Sequence, residues 1–166
     1  MLFRSFRAEN DEVPAVRDES IRALGAINNN ESMETLDSIF SGRRNSDRSR
    51  LIAAEMLLKN DPDTYGRRVF IEMQEAQRTN QTALYNGFIR IMIPVISPTL
   101  EDIAKHFLSG GIIEKALALD MIMNNEFHSL AEEVRVLLDE RRYGASLVRR
   151  AERTLEALGL EVNVAN

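Results

Sequence analysis

The sequence predicts an all-α chain, an α-solenoid of stacked antiparallel helix pairs read as a single domain over residues 1–166. Three observations predict it. Helix ends fall near Leu24, Leu57, Ile91, Ile122 and Leu158, 31 to 36 residues apart, a period that belongs to two-helix repeats. No segment between them alternates apolar and polar residues as a half-buried strand would. Two of the ends also share a tripeptide, Ala-Leu-Gly, which closes at Gly25 and again at Gly159. A compact helix bundle is the competing fold, but a bundle has no need to repeat a helix terminus. The expected stack has about four to five pairs, counting a partial first one.

Leu2, Phe3 and Phe6 suit one side of a short helix over residues 2–8, a partial outer helix, before the acidic loop Glu9 to Glu12. Solenoid ends need a polar outer face, so these apolar residues predict an imperfectly capped edge. Such an edge pairs with another copy or continues a longer solenoid. Val16, Ser20, Ala23, Leu24 and Ile27 then share one helical face, with Arg17, Asp18 and Arg22 pointing elsewhere. Asn28, Asn29 and Asn30 form a polar turn, and Met33, Leu36, Ile39 and Phe40 stripe the next helix. After the polar loop Gly42 to Asp47, the stretch Arg48 to Lys59 is apolar nearly all round, which is how a helix packed between neighbours reads.

Asp61-Pro62 is a helix start, since proline is tolerated at the first helical position. Tyr65, Val69, Phe70, Met73 and Ala76 give that helix its core face. A turn at Thr79 to Gln81 precedes Leu84, Phe88, Ile91 and Met92, a helix stopped by Pro94 and Pro98. Ser97-Pro98 repeats the cap-then-proline device. Leu100, Ile103, Ala104, Phe107 and Leu108 mark an outer helix that ends at Gly110-Gly111. Ile112 to Met123 is the next inner helix and Asn124-Asn125 its turn. Phe127, Leu130, Val134, Leu137 and Leu138 follow, and Leu147, Val148, Ala151, Leu155 and Leu158 stripe the last inner helix.

The stretch Val16-Arg17, small residues, Ala23-Leu24-Gly25, polar turn, then Glu31 to Leu36 resembles the short bacterial and archaeal HEAT-like repeat family. Only this stretch matches closely; the later repeats match by period and pattern. The resemblance implies an α-solenoid whose inner helices line a concave surface. It leaves the task open, because HEAT-like proteins bind many partners and few are enzymes.

Composition narrows the classes. A chain of 166 residues, 44% of them hydrophobic, can bury one sizeable core. No run of about 18 apolar residues is present, so no transmembrane helix is expected. The first residues lack the apolar segment of a secretory signal. With no cysteine there is no disulfide and no thiolate chemistry, which fits a cytoplasmic location. The formal charge of −5 weighs against nucleic acid. His106 and His128 stand alone, without a second ligand at helical spacing, so no metal is expected. The paired His-Glu motifs of the HEAT-like deoxyhypusine hydroxylases are absent. Glu101-Asp102 and Glu132-Glu133 are adjacent, hence splayed about 100° apart on a helix, and suit solvation better than catalysis. No cofactor motif is present.

Arginine is the exception. Arg142, Arg149, Arg150 and Arg153 fall at i, i+7, i+8 and i+11, one face if the last inner helix reaches back to Arg142. Arg17 holds the same inner-helix position in the first clear repeat, and Arg48 and Arg50 in the second. Arg142, Arg149, Arg150 and Arg153, with Arg17 and Arg50, are the candidate binding strip, and the first four are expected to be accessible and without a close carboxylate partner. The predicted function is a non-catalytic scaffold that holds a protein or acidic peptide on the concave inner-helix surface. The alternative is a nucleic-acid module resembling the HEAT-like DNA glycosylases; tryptophan is absent here and the net charge is negative. A bilin lyase of the HEAT-like kind has no support beyond fold resemblance. Arginines of this kind also serve structure, by pairing with neighbouring Glu and Asp.

Overall fold

Helix starts in this chain are written in local chemistry. In the computed structural model, which describes residues 13–162, Pro14 opens α1 (Pro14–Ile27) from the first turn. The side chain of Asn29 accepts the Ser32 amide at 2.9 Å to start α2 (Asn30–Ser41). Ser46 does the same for α3 (Asp47–Asn60), accepting from Ser49 at 3.2 Å. Asp61 caps α4 (Pro62–Arg78) with Pro62 at its first position, as the dipeptide predicts. α5 (Thr82–Met92) follows the turn at Asn80, whose φ of 57° is the left-handed region where asparagine is tolerated. The partial helix expected over residues 2–8, with Leu2, Phe3 and Phe6, lies outside the described residues. So does any edge they form.

The chain gathers into two compact units, Met1–Met92 and Ile93–Asn166. In the first, α3 is the hub: it packs against α1, α2, α4 and α5. Ile52, Ala53, Ala54, Leu57 and Leu58 are all buried, which explains a helix apolar on most sides. Gly25 sits at the α1–α3 contact, where a Cβ would stand 2.7 Å from Met56 Cγ and Sδ. Phe40 of α2 and Phe88 of α5 meet edge to face, with centroids 6.2 Å apart.

Charged groups brace this unit. Asp18, buried on α1, accepts from Arg48 of α3. Arg68 of α4 pairs with Asp37 of α2 at 2.6 Å and lies over the rings of Phe40 and Tyr65. Burial, and then the Asp37 carboxylate, push the Tyr65 phenol above its ordinary value. The fold therefore favours the protonated phenol, and that stability is lost as pH rises above about 10, the unfolded value, through the folded one. An absorbance titration of wild type against Tyr65→Phe is expected to remove a transition that lies above the ordinary tyrosine value of about 10. Loss of a lower-pH transition instead would reject that shift.

In the second unit Ser97 caps a 3-10 turn (Pro98–Leu100) that runs into α6 (Glu101–Leu108). α7 (Ile112–Asn125) follows, its start braced by Glu114, which accepts the Gly111 amide at 2.6 Å. Phe127 to Leu138, whose apolar residues follow α7, holds a 3-10 turn (His128–Leu130), the short α8 (Ala131–Arg135) and a second 3-10 turn (Val136–Leu138). This tighter winding still turns Leu130, Val134, Leu137 and Leu138 into the core. α9 (Glu140–Tyr143) and α10 (Ala145–Ala157) complete the unit. α7 packs on α6 and α10, and α8 on α6 and α10. Every regular element among the described residues is helical, and no helix there is long and apolar enough to cross a membrane.

The two Ala-Leu-Gly tripeptides prove to be different devices. Gly25 lies inside α1, two residues before its end, and is needed for close packing. Gly159 ends α10 with φ 70°; its amide donates to Glu156 O and the Leu160 amide donates to Leu155 O, a Schellman motif. Gly25→Ala is expected to destabilise through Met56, and its cost should shrink when Met56 is also shortened. Gly159→Ala should cost about 1 kcal/mol through the backbone alone, independently of any neighbour. Urea unfolding of the variants distinguishes the two.

Candidate functional site

The predicted arginines divide by environment. Arg50 is 6% exposed; its Nε donates to Phe40 O at 3.0 Å and its guanidinium holds Glu72 at 2.7 Å. That occupation corrects its place in a recognition strip: α3 is the hub of its unit, so a side chain on that face meets protein. Arg17 is half-buried on α1 and already engaged. Arg48 is taken by Asp18.

Arg142 is exposed on α9, its guanidinium carbon 5.1 Å from the Tyr143 ring centroid. The helix does not reach back to it. Gly144, at φ 78° and ψ 152°, stands in a conformation open essentially to glycine and breaks the chain between α9 and α10. The i, i+7 relation of Arg142 to Arg149 is therefore not a shared helical face.

Arg149, Arg150 and Arg153 do come together. With Ser146 they line one concavity of about 230 Å³ on the outer face of α10. Leu147, Val148, Ala151 and Leu155 on the opposite side are buried, which fixes the arginines outward. Arg150 departs from expectation, since Asp120 of α7 takes it through two contacts of 3.2 Å, Nε to Oδ1 and a terminal nitrogen to Oδ2. Arg149 and Arg153 have no carboxylate partner among the described residues, although Glu152 and Glu156 stand within helical reach. As an i, i+4 pair of like charges they repel each other by about 0.2–0.5 kcal/mol. Such a face gains from an incoming anion.

Sequence reasoning missed Ser146 and Asp120. Ser146 precedes Arg149 by three residues, so helical periodicity could have found it. Asp120 precedes Arg150 by 30 residues, about one repeat, a weaker signal. A second recess, of about 150 Å³ in the first unit, is lined by Arg43, Asp47, Arg50, Glu72 and Glu75 among others. Within it Arg50 pairs with Glu72, and Glu75 pairs with Arg78 outside the lining. No group of three or more His, Asp or Glu among the described residues is arranged to hold a metal ion. Comparison with known protein families, curated proteins and solved structures finds no match to this chain.

Proposed function

We propose that the chain is a HEAT-like α-solenoid that serves as a non-catalytic scaffold, binding an acidic protein or peptide along the arginine face of α10. One observation carries this reading. Three arginines and a serine surround a single concavity, and Arg149 and Arg153 have no carboxylate partner among the described residues. Arginine suits the task because its planar fork takes a carboxylate with two parallel hydrogen bonds. The solenoid part draws support from alternate-helix packing within each unit: α3 lies against α1 and α5, and α7 against α10. The reading carries a cytoplasmic location with it, which the cysteine-free composition suits.

Fluorescence anisotropy with a labelled oligoglutamate peptide tests the strip. Arg149→Glu combined with Arg153→Glu is expected to abolish binding while helix content and Tm stay nearly unchanged. Unchanged binding rejects the strip, and lost folding assigns these arginines to structure. Duplex DNA in the same assay is expected to bind weakly, and to be released at moderate salt, as incidental phosphate contacts are.

A further inference from the structure

The arginine face does not stand alone. α10 packs against α7, and two contacts set their direction: Asp120 with Arg150 of α10, and Lys115 with Tyr143, the last residue of α9 and two before the start of α10. Both contacts advance together along the chain, so α7 and α10 run side by side in the same direction. The side of α7 that carries Ile113 is apolar except at Asp120 and, in the last turn, Asn124. Ile113 is 75% exposed, its neighbour Ile112 62% and Met123 38%. Ile113, Asp120 and Met123 lie seven and three residues apart, on one side of the helix. Ala116 and Leu117, one turn on from Ile113, are half-buried and apolar, which carries the stripe toward Asp120. From Ile113 to Met123 the stripe runs about 15 Å. Beside it runs the polar stripe Ser146, Arg149, Arg153, and the Arg150–Asp120 pair joins the two.

From this juxtaposition we infer that the α7–α10 face binds an acidic amphipathic helix of a partner protein. Its apolar side rests on Ile113 and Met123, and its glutamates and aspartates lie along the adjoining side over Arg149 and Arg153. The inference rests on the scaffold reading and names the partner's chemistry. Three turns of a partner helix match the length of the stripe, with apolar residues at i, i+3 or i+4, and i+7 as anchors. Carboxylates supplied by the partner also relieve the repulsion between Arg149 and Arg153. An anionic bilayer offers a poorer match. A bilayer is a broad plane that extends past the two stripes to the carboxylates around them, and residues 93–166 carry twelve Asp and Glu against eight Lys and Arg, whereas a single helix covers the stripes alone.

Two labelled helical peptides of equal glutamate, leucine and alanine content test this. One has its leucines on one face and glutamates on the next; the other has them scrambled. The patterned peptide is expected to bind the full chain about tenfold tighter. Ile113→Ser, or Met123→Ser as an independent variant, should erase that advantage and leave scrambled-peptide binding in place. Both side chains are exposed, and circular dichroism checks that the variants stay folded. Arg149→Gln with Arg153→Gln should weaken both peptides. Equal affinity for the two peptides, both still dependent on the arginines, overturns the amphipathic-helix inference and leaves the acidic-strip reading standing. Failure to bind either peptide overturns both. Tighter, Ile113-dependent binding to phosphatidylglycerol vesicles than to the patterned peptide overturns the inference in favour of a membrane surface.

Discussion

Replacing Arg50 by alanine lowers the unfolding free energy by about 2–4 kcal/mol, whereas the same change at Arg149 or Arg153 moves it by no more than about 0.5 kcal/mol. The difference comes from what each guanidinium leaves behind. Without Arg50, the Phe40 carbonyl loses its donor and the Glu72 carboxylate, 30% exposed, loses its cation. A buried acceptor stripped of its partner carries its full desolvation cost. Arg149 and Arg153 leave nothing behind, because neither meets a carboxylate among the described residues. Arg50→Met keeps most of the packing volume and should recover part of the loss. Combining it with Glu72→Met should cost less than the two single losses added together, as expected for residues in one pair. Urea unfolding of these variants measures each quantity. A neutral Arg50→Ala would return this residue to the candidates for recognition. Together with the anisotropy assay, the series separates arginines that hold the fold from those free to hold a ligand.

What was legible in the sequence follows the range of the interaction that decides it. Helix starts at Asp61-Pro62 and Ser97-Pro98 were readable because a cap is settled within a few residues. The hub character of α3 was readable because burial on most sides requires apolar residues on most sides. The fate of an arginine was not. Arg50 meets Glu72 across 22 residues and Arg150 meets Asp120 across 30, while Arg149, on the same surface of α10, meets no carboxylate among the described residues. Spacing along one helix says which side chains share a face; it does not say whether that face looks onto a neighbour. Glycine shows the same limit. Gly144 breaks a helix that arginine spacing alone would carry back to Arg142, and Gly25 and Gly159 stand in one tripeptide for unrelated reasons.

Phe88→Ala is expected to remove about 3–5 kcal/mol from the first unit, the largest loss of any single truncation considered for it. Phe88 is fully buried on α5, and its ring meets that of Phe40 on α2 at 89°. Phe40 receives the edge-to-face contact while Arg68 lies 5.9 Å from its centroid, itself held by Asp37. One ring therefore couples the apolar core to the α2–α4 ion pair. Truncating Phe88 opens a cavity that α3, packed on four neighbouring helices, has little freedom to fill by moving. Phe88→Leu should recover more than half of the loss, since it restores volume without the ring. Double-mutant cycles should show Phe88 coupled to Phe40, by about 0.5–1.5 kcal/mol for the aromatic pair. A Phe88→Ala loss below about 1 kcal/mol, in the range of an exposed site, would mean that this aromatic pair does not anchor the unit.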